Sequence, residues 1–128
     1  MKQLTLGQFI DKLDQLSKFW YDTDDNAIPK SIAFDFGYFK PSSIHSYRGY
    51  YDQLAFGYND EVTMSASEFL SMCNDAVGKT FSGYKGGEFK MGLDTPLWVA
   101  NPRESCDTAV CDVTEHDTHI IIHTCYYD

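Results

Sequence analysis

The chain has 128 residues, 43% of them hydrophobic and 16% aromatic, with a formal net charge of −9. That is about one domain, with enough apolar side chains for a real core and too many aromatics for a disordered chain. So acidic a chain lacks the basic footprint that phosphate contact needs, which argues against direct nucleic-acid binding, and no apolar run approaches the ~20 residues that span a bilayer.

The N-terminus carries acids and no apolar signal core, so a cytosolic protein is expected. Thr5-Leu6-Gly7-Gln8 has the form of a capping box, and Leu6, Phe9, Ile10, Leu13, Leu16 and Phe19 then recur at helical spacing. This predicts a first helix from about Leu6 to Trp20, with Asp11, Lys12, Asp14 and Lys18 on its other face. Tyr21 to Lys30 reads as a loop. Its Asp22, Asp24 and Asp25 lack the turn glycine and later glutamate of a calcium loop, so a solvated turn is expected.

Ser31 to Phe39 alternates cleanly, with Ile32, Phe34, Phe36 and Tyr38 on one side, and predicts a half-buried strand. Pro41-Ser42-Ser43 is expected to end it and to open a loop running to Tyr51. Gln53 to Tyr58 predicts the next strand, with Leu54, Phe56 and Tyr58 on one face and Ala55 and Gly57 on the other. Ser65-Ala66-Ser67-Glu68 is a second capping box, opening a helix that carries Phe69, Leu70, Met72, Cys73, Ala76 and Val77. Gly78 stands where a glycine ends a helix, and Thr80 to Phe89 is rich in turn residues. Gly78-Lys79-Thr80 matches the end of a phosphate-binding loop, but Cys73 replaces the required first glycine and a helix precedes it rather than follows, so that reading is rejected.

The remainder predicts strands only: Phe89 to Met91, Leu97 to Ala100, and a hairpin of Thr108 to Val113 and His119 to Thr124 about the turn Glu115-His116-Asp117. The order α-β-β-α-β-β-β-β, with runs of adjacent strands, predicts one α+β domain over residues 1–128: two helices packed on an antiparallel sheet of about five to six strands.

Four cysteines are present, Cys73, Cys106, Cys111 and Cys125. With a cytosolic chain, structural disulfides are not expected, and each cysteine reads as a small buried apolar residue. Cys106, Cys111, His119 and His123 have the composition of a zinc site. However, His119 and His123 are about 13 Å apart on an extended strand and the cysteine spacing is odd, so no metal is expected there. No nucleophile stands in a recognisable catalytic motif, which predicts a non-enzymatic protein without a cofactor.

The best candidate binding segment is Ser46-Tyr47-Arg48-Gly49-Tyr50-Tyr51, inside a stretch, Phe34 to Tyr58, that holds nine of the twenty aromatics. Arg48 is one of two arginines and supplies a planar donor fork, while Tyr47, Tyr50 and Tyr51 supply rigid contact area with polar tips. Lys85, Trp98 and Arg103 are placed near this segment as further binding residues. The alternative is that Arg48 pairs internally with Asp35 or Asp52. The acidity is concentrated late: residues 93–128 carry Arg103 alone against seven acids, a net of −6. Asp107, Asp112, Glu115 and Asp117 are therefore expected to face a basic partner surface.

SYRGYYDQLAFGY and GYKGGEFKMGLDTPLWVAN, residues 46–58 and 83–101, resemble small accessory proteins of tailed bacteriophages. The resemblance implies a protein acting in the host cytoplasm during infection, and many such compact acidic proteins inhibit host defences. The expected function is inhibition of a bacterial defence or nucleic-acid-processing protein by direct binding. The alternatives are a sponge for an anionic nucleotide-like small molecule, held by Arg48 and the tyrosines, and a small virion or assembly component; both leave self-association into a homo-oligomer open.

Overall fold

The computed structural model describes residues 2–16, 30–36, 39–46, 54–59, 64–82, 88–99, 107–116 and 119–127. In chain order these form α1 (Leu6–Gln15), β1 (Ser31–Phe34), β2 (Lys40–Ser46), β3 (Leu54–Asn59), α2 (Ala66–Ala76), β4 (Thr80–Ser82), β5 (Glu88–Lys90), β6 (Leu97–Val99), β7 (Asp107–Glu115) and β8 (His119–Tyr127). The fold is a small α+β domain, as the alternation patterns predict.

Both helices begin where the sequence says. The Thr5 hydroxyl accepts from the Gln8 backbone N–H at 3.2 Å while the Gln8 side chain accepts from the Thr5 N–H at 2.9 Å. Ser65 and Glu68 repeat the exchange at 3.2 and 3.0 Å. Each box satisfies two donors that a helix start leaves without intrahelical partners. The N–H of Ser65 and then its hydroxyl hold the Glu68 carboxyl below its ordinary value. Helix α2 ends at Gly78, whose φ of 77° lies in the left-handed region that glycine adopts freely.

Strands order as β1-β8-β7-β6-β3-β2 in a six-stranded sheet, with β4 and β5 forming a separate antiparallel pair. The sheet is mixed rather than purely antiparallel: β1 runs parallel to β8, and β3 runs parallel to β6. The β3–β6 pair is joined by a crossover that includes α2, as parallel neighbours require. The strands β2 and β4 depart from the predicted element order. Pro41-Ser42-Ser43 does not end a strand but lies within β2, with a register shift between Pro41 and Ser43. A proline is tolerated there because β2 is an edge strand and the ladder is already interrupted. The predicted strand to Phe39 stops at Phe34, where Asp35 and Phe36 bend the chain. Ala33 is 2% exposed, so β1 is covered on both faces rather than half-buried. Thr80 to Ser82, read as turn, pairs with β5.

One sheet face packs on the helices. Ile32, Phe34, Leu54, Phe56, Leu97, Val99, Val110, Val113, Ile120 and Ile122 join Leu6, Phe9, Leu13, Phe69, Leu70 and Cys73 in one core. At its centre three rings meet edge to face, with centroids 5.1 Å apart for Phe9 and Phe56, 6.0 Å for Phe9 and Phe69, and 4.9 Å for Phe56 and Phe69. The opposite face carries a smaller cluster of Ala55, Trp98, Ala109 and Cys111, with Cys125 against it.

Structural disulfides were not expected, yet Cys111 and Cys125 are bonded. Strand β7 has a register shift between Val110 and Asp112, so Val110 and Val113 both reach the core although three apart, and Cys111 shares the opposite face with Ala109. Cys125 pairs with Ala109, which brings the two cysteines to a Cα separation of 6.3 Å, within bridging range. Cys73 is buried in the core as predicted, and burial pushes its thiol pKa up.

Phe56→Ala removes the ring shared by the aromatic trio and should destabilise the fold by about 3–5 kcal/mol, read as a lower urea midpoint at unchanged slope. Glu68→Gln tests the second box. The depressed Glu68 carboxyl stabilises the fold above its ordinary value of 4.5 and loses that contribution as pH falls through the folded-state value. The stability gap between wild type and Glu68→Gln, measured by denaturant titration, should therefore narrow from pH ~6 to pH ~3.

Candidate functional site

A polar constellation among the described residues lies on β7 and β8, beside the end of β1. Strand β7 contributes Thr114, β8 contributes His123 and Thr124, and His116 follows β7 directly. The Thr114 hydroxyl lies 2.6 Å from His123 Nε2 and 2.9 Å from His116 Nε2. His123 Nδ1 faces Asp35 Oδ2 at 3.9 Å. The Asp35 carboxylate is itself fixed, accepting from the Thr124 N–H at 2.9 Å and from the Thr124 hydroxyl at 2.7 Å. Because β8 alternates, Ile120 and Ile122 enter the core while His119, Ile121, His123 and Cys125 line the other face.

A hydroxyl, an imidazole and a carboxylate in this order resemble a nucleophile relay. The chemistry does not follow from the geometry. The carboxylate is too far from Nδ1 for a hydrogen bond, and the hydroxyl is shared with a second imidazole instead of being open to a substrate. The group reads as a polar network with converging imidazoles.

Two lysines tie this hairpin to the body. Lys30, 8% exposed, donates to the His116 carbonyl at 2.8 Å and stands 3.6 Å from Glu115 Oε2, while its own carbonyl accepts from the Ala66 N–H at the start of α2. Lys12 of α1 stands 3.5 Å from Asp112 Oδ1, with both side chains well exposed.

Of the residues singled out from sequence, Tyr47, Arg48, Tyr50, Tyr51, Lys85, Arg103 and Asp117 lie outside the described residues, as do Asp22, Asp24, Asp25 and Cys106. Asp107 opens β7; Asp112 and Glu115 lie farther along the same strand, each beside a lysine. Trp98 pairs with Ala109 across β6 and β7 and is 8% exposed within the outer cluster, distant in role from an open contact residue. Cys111 is bonded to Cys125, which removes it from the four-ligand set of cysteines and histidines. Two cavities of about 430 and 310 Å³ lie among the described residues, one beside Gly78 and Met91 and one between Ile44, Met72 and Phe81, and neither includes a predicted binding residue. Asp35, Thr114, His116, Lys12 and Lys30 were not expected as a group. The one sequence signal was the density of His and Thr from Thr114 to Thr124.

Comparison with protein families, with curated proteins and with solved structures finds no match to this chain. No described helix is long and apolar enough to cross a membrane.

Lys30→Met tests the anchoring of the hairpin. It leaves the Glu115 carboxylate and the His116 carbonyl without their shared cation and should cost about 1–3 kcal/mol. Hydrogen exchange should quicken at the tip of the β7–β8 hairpin before it quickens in β3 or β6.

Proposed function

We propose that this chain is a non-enzymatic binding protein that presents an acidic hairpin to a basic surface of a protein partner. One observation carries the reading. Residues 107–127, which span β7 and β8, hold Asp107, Asp112, Glu115 and Asp117 and not a single Lys or Arg. Lys12 and Lys30 meet two of these acids from other elements, yet the net charge of −9 remains and sets the field a partner meets at a distance. A fixed acidic ribbon steers a basic partner and suppresses anionic ones, nucleic acid included. The resemblance of residues 46–58 and 83–101 to phage accessory proteins supports a bacterial defence or nucleic-acid-processing protein as that partner, with Tyr47, Arg48, Tyr50 and Tyr51 as candidate anchors and the host cytoplasm as the place of action.

The test uses the tagged full chain and bacterial lysate, with captured proteins identified and the complex then re-formed from pure components. Asp107→Asn with Asp117→Asn removes two acids while keeping the lysine-paired carboxylates that hold the fold. Affinity should fall severalfold, and its salt dependence between about 50 and 500 mM should flatten. An affinity insensitive to both salt and the double substitution overturns the electrostatic reading. A retained small anionic molecule with no protein partner would favour the sponge instead.

A further inference from the structure

The two imidazoles at the hairpin turn converge in a way that hydrogen bonding alone leaves incompletely used. Thr114 Oγ1 has one proton, and two Nε2 atoms stand within 2.9 Å of it. Asp35 Oδ2 faces His123 Nδ1 at 3.9 Å, which favours the tautomer with a proton on Nδ1 and a lone pair on Nε2. The Thr114 proton then goes to His123, across the shorter contact, and His116 must turn its own Nε2–H toward the oxygen. A cation that took the place of the Thr114 hydroxyl between the rings would instead accept a lone pair from each of them at once.

We propose that His116 Nε2 and His123 Nε2 form a two-imidazole clamp for a borderline divalent transition metal ion, of the class of Zn²⁺, Ni²⁺ and Cu²⁺. The ring centroids are 6.4 Å apart. Two imidazoles on one tetrahedral ion, with metal–nitrogen bonds of ~2.0–2.1 Å, hold their centroids about 5 Å apart. The gap closes by roughly 1 Å through side-chain rotation, and His116 is the exposed partner that can rotate. The Asp35 carboxylate, fixed by two hydrogen bonds from Thr124, stands 3.9 Å from the far ring nitrogen of His123, an electrostatic neighbour without a hydrogen bond to the ring. The Thr114 hydroxyl occupies the space between the two Nε2 atoms and has to rotate aside for the ion.

The ligand chemistry sets the class of ion. Two imidazoles suit zinc, nickel and copper, whereas calcium and magnesium prefer oxygen ligands in larger number. Among the described residues no group of three or more His, Cys, Asp and Glu side chains has metal-binding geometry, and the described ligands are the two imidazoles. This set differs from the cysteine–histidine set considered from sequence, since it uses His116 and needs no cysteine. The clamp also does not depend on the acidic binding surface; it stands whether or not a partner protein is found.

The test is calorimetric titration of tag-free full-length protein with ZnCl₂, NiCl₂, CuCl₂ and MgCl₂, with proton NMR of the imidazole resonances as a second readout. One equivalent of Zn²⁺ should bind and shift the resonances of His116 and His123; Cu²⁺ should bind more tightly, following the general affinity order, and Mg²⁺ should give no saturable signal. His116→Gln, at an exposed position, and His123→Gln should each lower affinity at least tenfold. Circular dichroism checks that each variant is folded. The proposal is overturned if Zn²⁺ gives no saturable binding, or if the double variant His116→Gln with His123→Gln binds as wild type does.

Discussion

Strands β1 and β2 stand at opposite ends of the sheet order, yet only residues 35–39 join them. In a flat sheet the outer strands of six would be about 24 Å apart at ~4.8 Å per neighbour, more than six chain steps at ~3.3 Å can span. The sheet therefore has to curl until its edges approach. They do so at the Phe34 N–H, which donates to the Phe39 carbonyl at 2.8 Å. Phe36 fills the corner, stacked on Phe34 with centroids 5.2 Å apart and 5.9 Å from Phe39, and Phe36 and Phe39 both pack against the main core. The short connection thus bends the sheet toward the helices. It also delivers Asp35 to the flank of β8, where its N–H donates to the Ile122 carbonyl at 3.0 Å and its carboxylate meets Thr124 and His123.

Features that depend on a few neighbouring residues were legible in the sequence, because their physics is local. Both capping boxes formed as read, Gly78 ends α2, and the alternation of Leu54 and Phe56 against Ala55 sorts those side chains onto two faces. What depends on non-local pairing was hidden. Nothing in SIAF announces a parallel neighbour 88 residues later in the chain, although its burial on both faces is what a parallel strand requires. Pro41 was read as a stop because a central strand does not tolerate it. Whether a strand is central or at the edge is a property of the whole sheet.

The candidate site failed to show itself for the same reason, with one further step. Thr114 pairs across the hairpin with Ile121, so His123 stands on the diagonal from Thr114, two residues beyond that partner. That relation depends on the unbroken register between the turn end and the irregularity at Cys111, and a slip of one residue would send His123 toward the core. The same irregularity joins Cys111 to Cys125, which compartment-based reasoning had set aside. Asp35 arrives from 89 residues away in sequence. The density of histidine and threonine was visible in the chain; their convergence on one oxygen was not.

Beyond its ladders with β1 and β6, the hairpin is tied by side chains from different elements: Lys12 from α1, Lys30 from the residue preceding β1, and Asp35 from the turn after it. Of these, the Lys30 contact is the least screened, because that side chain is 8% exposed while Lys12 and Asp112 lie in solvent. Here the lysines that neutralise Asp112 and Glu115 add side-chain contacts to strands already fixed by their ladders with β1 and β6. Lys12 and Lys30 thus neutralise two acids of the hairpin and tie it to α1 and to the start of β1 through the same contacts.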